Sequence, residues 1–217
     1  MRIAIIGASR GLGACLCKII PENNTVLAVA RKRELLEKLG SNTKAKVQPF
    51  VADLSRDIRL LLDELDAFSA DVIFCLAGGG PFGAFESKAW KDHVWAWQVG
   101  FLSVAQIVHA ALNQKVRPRQ IVLCGSAVAE QAGDPNAASY ASAKHALRGL
   151  YESLKLENPA LDLRLFSPGY LDTELLPKNA EVRYKGVWDP QKVAEELWTW
   201  SLASDHGGHR LYTHHPK

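Results

Sequence analysis

Tyr140 and Lys144 stand four residues apart beside a run of good helix formers, Ala141 to Leu150. On an α-helix that interval stacks two side chains on one face, one turn apart. An ammonium held beside a phenol favours phenolate and lowers a pKa that is otherwise about 10. A tyrosine tuned in this way can give or take a proton near neutral pH. The same pair occurs on ordinary amphipathic helices, so the interval alone does not separate chemistry from packing.

A second candidate lies at the other end of the chain. Ile3 to Ile6 is an apolar run bounded by Gly7, as expected for a strand buried on both faces. Gly7-Ala8-Ser9-Arg10-Gly11-Leu12-Gly13 follows, and Ala14 to Ile20 reads as a helix stopped by Pro21. Strand, glycine-rich turn and helix make the setting a phosphate needs: close backbone approach, then free N–H groups at a helix start. The spacing departs from G-x-G-x-x-G, and a glycine turn without a ligand stays open at this point. Thr25 to Ala30 is the next strand, followed by Arg31-Lys32-Arg33, with no acid at its end because Glu34 is already in the next helix pattern. In a dinucleotide fold an acid there holds the 2′-hydroxyl of NAD, whereas an arginine accepts a 2′-phosphate. Arg31 with Arg10 therefore argues for NADP; the alternative is a solvated basic helix start.

The remaining chain keeps the same alternation. Lys46 to Val51 is a strand running into Ala52-Asp53-Leu54, and a helix follows through Ile58, Leu61, Leu62 and Leu65. Val72 to Leu76 leads into Ala77-Gly78-Gly79-Gly80-Pro81. Lys88 to Asn113 reads as one long helix with Val94, Trp97, Phe101, Val104, Val108 and Leu112 on a stripe, which is core or subunit packing. Arg119 to Cys124 ends in Gly125-Ser126-Ala127, before a turn cluster at Gly133-Asp134-Pro135-Asn136 and the Tyr140 helix. Leu161 to Phe166 ends in Ser167-Pro168-Gly169, residues 174–189 read as a loop, Asp189-Pro190 is a helix start, and Leu211 to Thr213 is a last short strand. Such alternation predicts an α/β fold: a doubly wound parallel sheet of about seven strands with helices on both faces. The unusual residues all fall at strand ends, hence on one edge of that sheet, where such folds bind ligands.

Composition narrows the classes. The 217 residues fit one domain, 1–217, and a formal net charge of +3 argues against nucleic acid or an anionic membrane as partner. No run of about 18 apolar residues occurs, so no membrane span is expected, and Met1 to Gly7 reads as a strand rather than a leader. Cys15, Cys17, Cys75 and Cys124 lack metal-ligand spacing and read as buried thiols of a cytoplasmic protein. The His214-His215 pair is too small for a metal site, so no metal is expected.

With these residues in place, the chain resembles the short-chain dehydrogenase/reductase family over nearly its whole length. The family's glycine motif matches Gly7, Gly11 and Gly13, its Tyr-x-x-x-Lys motif Tyr140 and Lys144, and its serine Ser126. Its Pro-Gly and following threonine match Pro168, Gly169 and Thr173, and its aspartate Asp53. Cys75-Leu76-Ala77-Gly78 departs from the usual Asn-Asn-Ala-Gly, and Gln98 stands where the family has a relay asparagine.

The resemblance implies an NADP(H)-dependent oxidoreductase acting on a small carbonyl or alcohol. Ser126 would hold the carbonyl, Tyr140 supply the proton, Lys144 bond the nicotinamide ribose and Gln98 serve the relay. Gly7, Ser9, Arg10, Gly11, Leu12, Gly13, Arg31, Asp53, Leu54, Ala77, Gly78, Tyr140, Lys144, Pro168, Gly169, Leu171 and Thr173 would line the cofactor. The substrate wall would comprise Pro81, Phe82, Val128 to Gln131, Tyr170 and the 174–189 substrate loop with Trp188. The Val94–Leu112 stripe and the Tyr140–Leu154 helix would join copies into a homodimer or homotetramer. An NADP(H)-binding sensor with little catalysis is the alternative; a nucleotide-sugar epimerase is disfavoured because the chain stops soon after the last strand.

Overall fold

β1 (Arg2–Ile6) is buried from Ile3 to Ile6, and its side chains alternate between two apolar clusters, Ile3 and Ile5 in one, Ala4 and Ile6 in the other. A strand apolar on both faces belongs in the middle of a parallel sheet. The computed structural model describes residues 1–130, 135–178, 180–181, 183, 186–204 and 208–213. In it β1 pairs with β2 (Thr25–Ala30) on one side and β4 (Val72–Cys75) on the other. β3 (Lys46–Val51) extends the sheet beyond β2, and β5 (Gln120–Cys124), β6 (Asp162–Pro168) and β7 (His209–Tyr212) extend it beyond β4. The order is β3-β2-β1-β4-β5-β6-β7, with every pairing parallel. Strand order reverses between β1 and β4, which opens a crevice at their carboxyl ends.

Helices cover both faces. α1 (Gly11–Ile19), α2 (Arg33–Gly40) and α7 (Pro190–Ser201) bury Leu16, Leu36 and Leu197 against Ile3, Ile5 and Phe74. α3 (Arg59–Phe68), α5 (Ser103–Leu112) and α6 (Ala138–Glu157) bury Leu65, Ile107 and Leu147 on the opposite face against Ile6, Ile73 and Ile121. α7 starts as its sequence signals: Pro190 occupies the first turn and the Asp189 carboxylate accepts from Gln191 N–H at 2.9 Å.

The long helix expected over 88–113 is interrupted. α4 (Trp90–Trp97) passes through a wide π turn at Gln98–Leu102 before α5 begins. That turn holds Gly100, where a β-carbon would stand 3.3 Å from Ala143 Cβ, so the missing side chain lets α6 approach closely. The 23-residue helical stretch Trp90–Leu112 has a mean hydropathy of 1.2 over an 18-residue window, long and apolar enough by length and composition alone to cross a bilayer. Its apolarity is explained by Val104, Ile107 and Val108, which lie in the core. The α4 half of the stripe faces outward instead, with Val94 49% and Trp97 38% exposed. β6 and β7 are shifted by one or two residues from their expected bounds. Gly133, Asp134, His214 and His215 lie outside the described residues.

Candidate active site

A cleft of about 440 Å³ opens at the β1/β4 reversal. Its floor is the glycine loop. Gly7 has φ +97°, and a β-carbon there would lie 2.6 Å from Ala77 N; one on Gly13 would lie 2.3 Å from the Gly7 carbonyl oxygen. Backbone thus packs on backbone where β1 feeds α1. The first turn of α1 carries neither a side-chain cap nor an acidic residue, leaving its N–H groups and positive dipole end for an anion. Those features fit the pyrophosphate of a dinucleotide.

Above the loop stand the residues of α6. Lys144 is 2% exposed, and its Nζ donates to the Cys124 carbonyl at 2.6 Å. The same nitrogen is 5.6 Å from the centre of the Tyr140 ring. A β-carbon on Gly78 would stand 3.2 Å from Lys144 Nζ and 4.0 Å from Tyr140 Cε2, so that glycine keeps the approach to both open. Ser126 starts the short turn Ala127–Ala129 that follows β5, and its Oγ accepts from Val128 N–H at 3.4 Å. Ser126, Tyr140 and Lys144 all line the cleft.

The far end of the cleft is charged. Asp53 lies at the exit of β3, where burial would raise its carboxyl. Hydrogen bonds from the Ser55 hydroxyl and N–H, with the Arg31 and Arg56 guanidiniums, outweigh that and hold it below the usual carboxylate range. Arg31 sits over the Trp95 ring at 5.4 Å. Arg10 forms an ion pair with Glu174 across the mouth, and Thr173 packs on Gly11, where a β-carbon would meet its Cγ2 at 3.3 Å. Arg183 braces this segment by donating to the carbonyls of Thr173, Leu176 and Pro177.

The cleft is lined by Gly7, Ser9, Arg10, Gly11, Leu12, Gly13, Arg31, Asp53, Leu54, Ala77, Gly78, Pro168, Gly169, Leu171 and Thr173 together with the α6 pair. Gln98 is not among its lining residues; it begins the π turn, and the nearby helix positions that reach the cleft are Trp95 and Val99. Trp95 and Val99 lie off the stripe that the sequence assigns to packing, yet their four-residue interval is a face of its own. Of the expected substrate wall, Pro81, Phe82, Val128 and Tyr170 line the cleft, with Glu174, Leu175 and Leu176 from the loop. Trp188 does not: it packs behind Gly169 and against Tyr212, at 4.9 Å between ring centres. Ala129 and Glu130 are also off the cleft, and Gln131, like Asn179, Val182, Tyr184 and Lys185 of the loop, lies outside the described residues.

Glu130 has another place. Its carboxylate accepts from Ser167 Oγ at 2.8 Å and meets His209 Nε2 at 2.7 Å and Arg148 at 2.6 Å. The turn that begins at Ser126 is thereby tied to β6, β7 and α6. No local pattern announces this cluster, because its members are scattered over 80 positions from 130 to 209.

Burial pushes the Cys75 thiol up to about 12, despite the Lys144 charge that opposes it; Cys17 is likewise at about 12, and Cys124 is raised for the same reason as Cys75. The thiolate is the nucleophile, so native protein with iodoacetamide at pH 8 is expected to be alkylated at Cys15 at most, by mass spectrometry. Rapid labelling of Cys75 would contradict this burial. The unfolded chain ionises its thiols above the ordinary range of about 8.5 while Cys17 and Cys75 stay protonated, so these two groups lower stability as pH rises past that value.

A family model described as short chain dehydrogenase matches residues 1–183. Hydroxysteroid 11-beta-dehydrogenase 1-like protein B of Xenopus laevis is 27% identical over 191 residues, covering 80% of this chain and 64% of that protein. The alcohol dehydrogenase of the archaeon Thermococcus sibiricus, solved with 5-hydroxy-NADP, superposes with a TM-score of 0.77 at 22% identity, covering all of both chains. A short-chain dehydrogenase of Sphingobium yanoikuyae, solved with NADPH, gives 0.79 at 19% identity, covering 97% of this chain and 86% of that one.

Proposed function

The chain belongs to the short-chain dehydrogenase family, and from that premise we propose that it is an NADP(H)-dependent oxidoreductase, interconverting a small carbonyl compound and its alcohol. One observation carries the reading: the glycine loop and the Ser126, Tyr140 and Lys144 side chains open onto the same cleft. Family relatives solved with NADP-type cofactors support the choice of nucleotide, as do Arg10 and Arg31, which can meet a 2′-phosphate.

A bound nicotinamide supplies the hydride. The protein's part is position and charge. Ser126 Oγ donates to the substrate carbonyl oxygen, and Tyr140 hands its hydroxyl proton to the same oxygen as alkoxide develops. Lys144, fixed by the Cys124 carbonyl, keeps positive charge beneath that exchange and has two further N–H donors for ribose hydroxyls. The charged residues of the cleft other than Lys144, namely Arg10, Arg31, Asp53 and Glu174, belong to the nucleotide. Pro81, Phe82, Val128 and Leu175 leave an apolar seat for the substrate, so the substrate class is an uncharged, apolar ketone or aldehyde. Residues 1–217 act as one nucleotide-binding unit with 174–189 as substrate loop. The exposed Trp90, Val94 and Trp97 favour a homodimer or homotetramer, and four free cysteines favour a cytoplasmic setting.

The test is reduction of a panel of apolar ketones and aldehydes with NADPH or NADH, paired with Arg31→Asp. NADPH affinity is expected to fall about 10–100-fold in that variant, the worth of one or two charge-assisted hydrogen bonds, with NADH nearly unaffected. Equal losses for both nucleotides in a fluorescence titration would reject the 2′-phosphate role. A second reading, an NADP(H)-binding sensor with little catalysis, is favoured by the position of Gln98 off the cleft. It requires tight NADPH binding with no turnover anywhere on the panel.

A further inference from the structure

We propose that His93 is a positioning residue, tying the lip of the cleft to the helix turn that carries Tyr140. The inference rests on the oxidoreductase reading for Tyr140, and its geometry lies outside the residues assigned above. His93 sits on α4, 5% exposed, and both ring nitrogens are engaged. Nε2 is 3.1 Å from the Phe85 carbonyl and Nδ1 is 2.6 Å from Ser139 Oγ. A carbonyl only accepts, so Nε2 carries the proton; in the neutral ring Nδ1 then accepts from the Ser139 hydroxyl. The Phe85 ring lies against the imidazole, 4.3 Å between centres.

The two partners belong to two segments that border the cleft. Ser139 is 4% exposed and immediately precedes Tyr140 in the first turn of α6. Phe85 follows the lip segment whose Pro81 and Phe82 line the cleft. That segment presses on α6: a β-carbon on Gly80 would lie 3.1 Å from Tyr140 Cβ, and Gly83 N–H donates to the Asn136 carbonyl at 2.8 Å. His93 is a buried side chain that bonds lip and turn at once. A displacement of about 1 Å in a reacting group can cost roughly 100-fold in rate, so a bond that sets the Tyr140 turn acts on catalysis without touching substrate.

Two conservative replacements separate the bonds. His93→Asn keeps an acceptor where Nδ1 stands and gives up the reach to Phe85; His93→Gln keeps the reach to Phe85 and gives up Ser139. His93→Gln is expected to lower kcat roughly tenfold with KM held within about twofold. His93→Asn is expected to retain kcat and raise KM several-fold, because the lip is released. Ser139→Ala should reproduce the kcat loss, and the double variant His93→Gln/Ser139→Ala should lose no more, since both remove one bond. A readout independent of turnover is the Cζ resonance of Tyr140 in ¹³C-tyrosine-labelled protein, identified by its loss in Tyr140→Phe. That resonance should move in His93→Gln and Ser139→Ala and stay in place in His93→Asn. An unmoved resonance in all three would overturn the proposal, as would kcat and KM changing together in step with melting temperature. Wild-type protein that binds NADPH without turnover would instead sink the oxidoreductase reading, leaving the resonance to decide on His93.

Discussion

Tyr140→Phe is expected to lower kcat by about 10²–10⁴-fold, the range that a positioned proton donor contributes, while NADPH affinity stays within about twofold. The substitution removes one oxygen and keeps the ring. Ring contacts hold the site's shape: Tyr140 Cε2 faces Gly78 and its Cβ faces Gly80, and the Lys144 ammonium remains fixed by the Cys124 carbonyl. Neither the glycine loop nor Asp53 touches the hydroxyl, so the nucleotide should scarcely register its loss. Steady-state rates and a fluorescence titration on the same preparation separate the two quantities. Turnover equal to wild type would defeat the assignment of Tyr140, and a parallel loss of NADPH binding would mean that the phenol serves the cofactor and not the proton.

The sheet could be read from the chain because its evidence is local. Ile3 to Ile6, Val72 to Cys75 and Ile121 to Cys124 are apolar without interruption, as expected of strands buried on both faces. Their alternation with helical patterns forces crossovers, and the parallel order follows. The π turn at Gln98–Leu102 was not readable, since it depends on how α6 packs at Ala143, a contact some 40 residues away in sequence.

The candidate site divides along the same line. Glycines, Asp53 and the Tyr140–Lys144 pair signal themselves through spacing within one element or at one strand end. Trp95 reaches the cleft only because α4 crosses beside Gly79, where a β-carbon would meet its ring at 3.0 Å. The Glu130 cluster and the His93 bridge join residues from separate elements, and only coordinates bring them together. Trp188 illustrates the converse: its place within the 174–189 loop suggests a wall, but its backbone bridges to Leu171 and its ring packs on Tyr212 of β7.

Gly13→Ala tests the floor on which all of this stands. The added methyl would lie 2.3 Å from the Gly7 carbonyl oxygen and 3.2 Å from Ala8 Cα, both backbone atoms. Gly7 is held in place, because Ala77 N lies only 2.6 Å from where its β-carbon would stand and both Gly7 and Ala8 N–H are bonded to the Val29 carbonyl. Relief must come from α1 lifting off the sheet, which uncovers Leu12 and Leu16. Overpacking of this kind costs about 1–3 kcal/mol, or a melting temperature lower by roughly 2–12 °C for a chain of this size. NADPH and NADH should weaken together, since the displaced N–H groups serve the pyrophosphate that both share; Arg31→Asp separates the two nucleotides. Gly149→Ala is the control: it lies exposed within α6 with nothing within 4 Å of the new carbon, and helix propensity predicts a gain of about 0.5–1 kcal/mol. Scanning fluorimetry on both variants with each nucleotide decides the matter. Gly13→Ala melting with wild type and binding NADPH as tightly would show that α1 does not rest on the glycine turn.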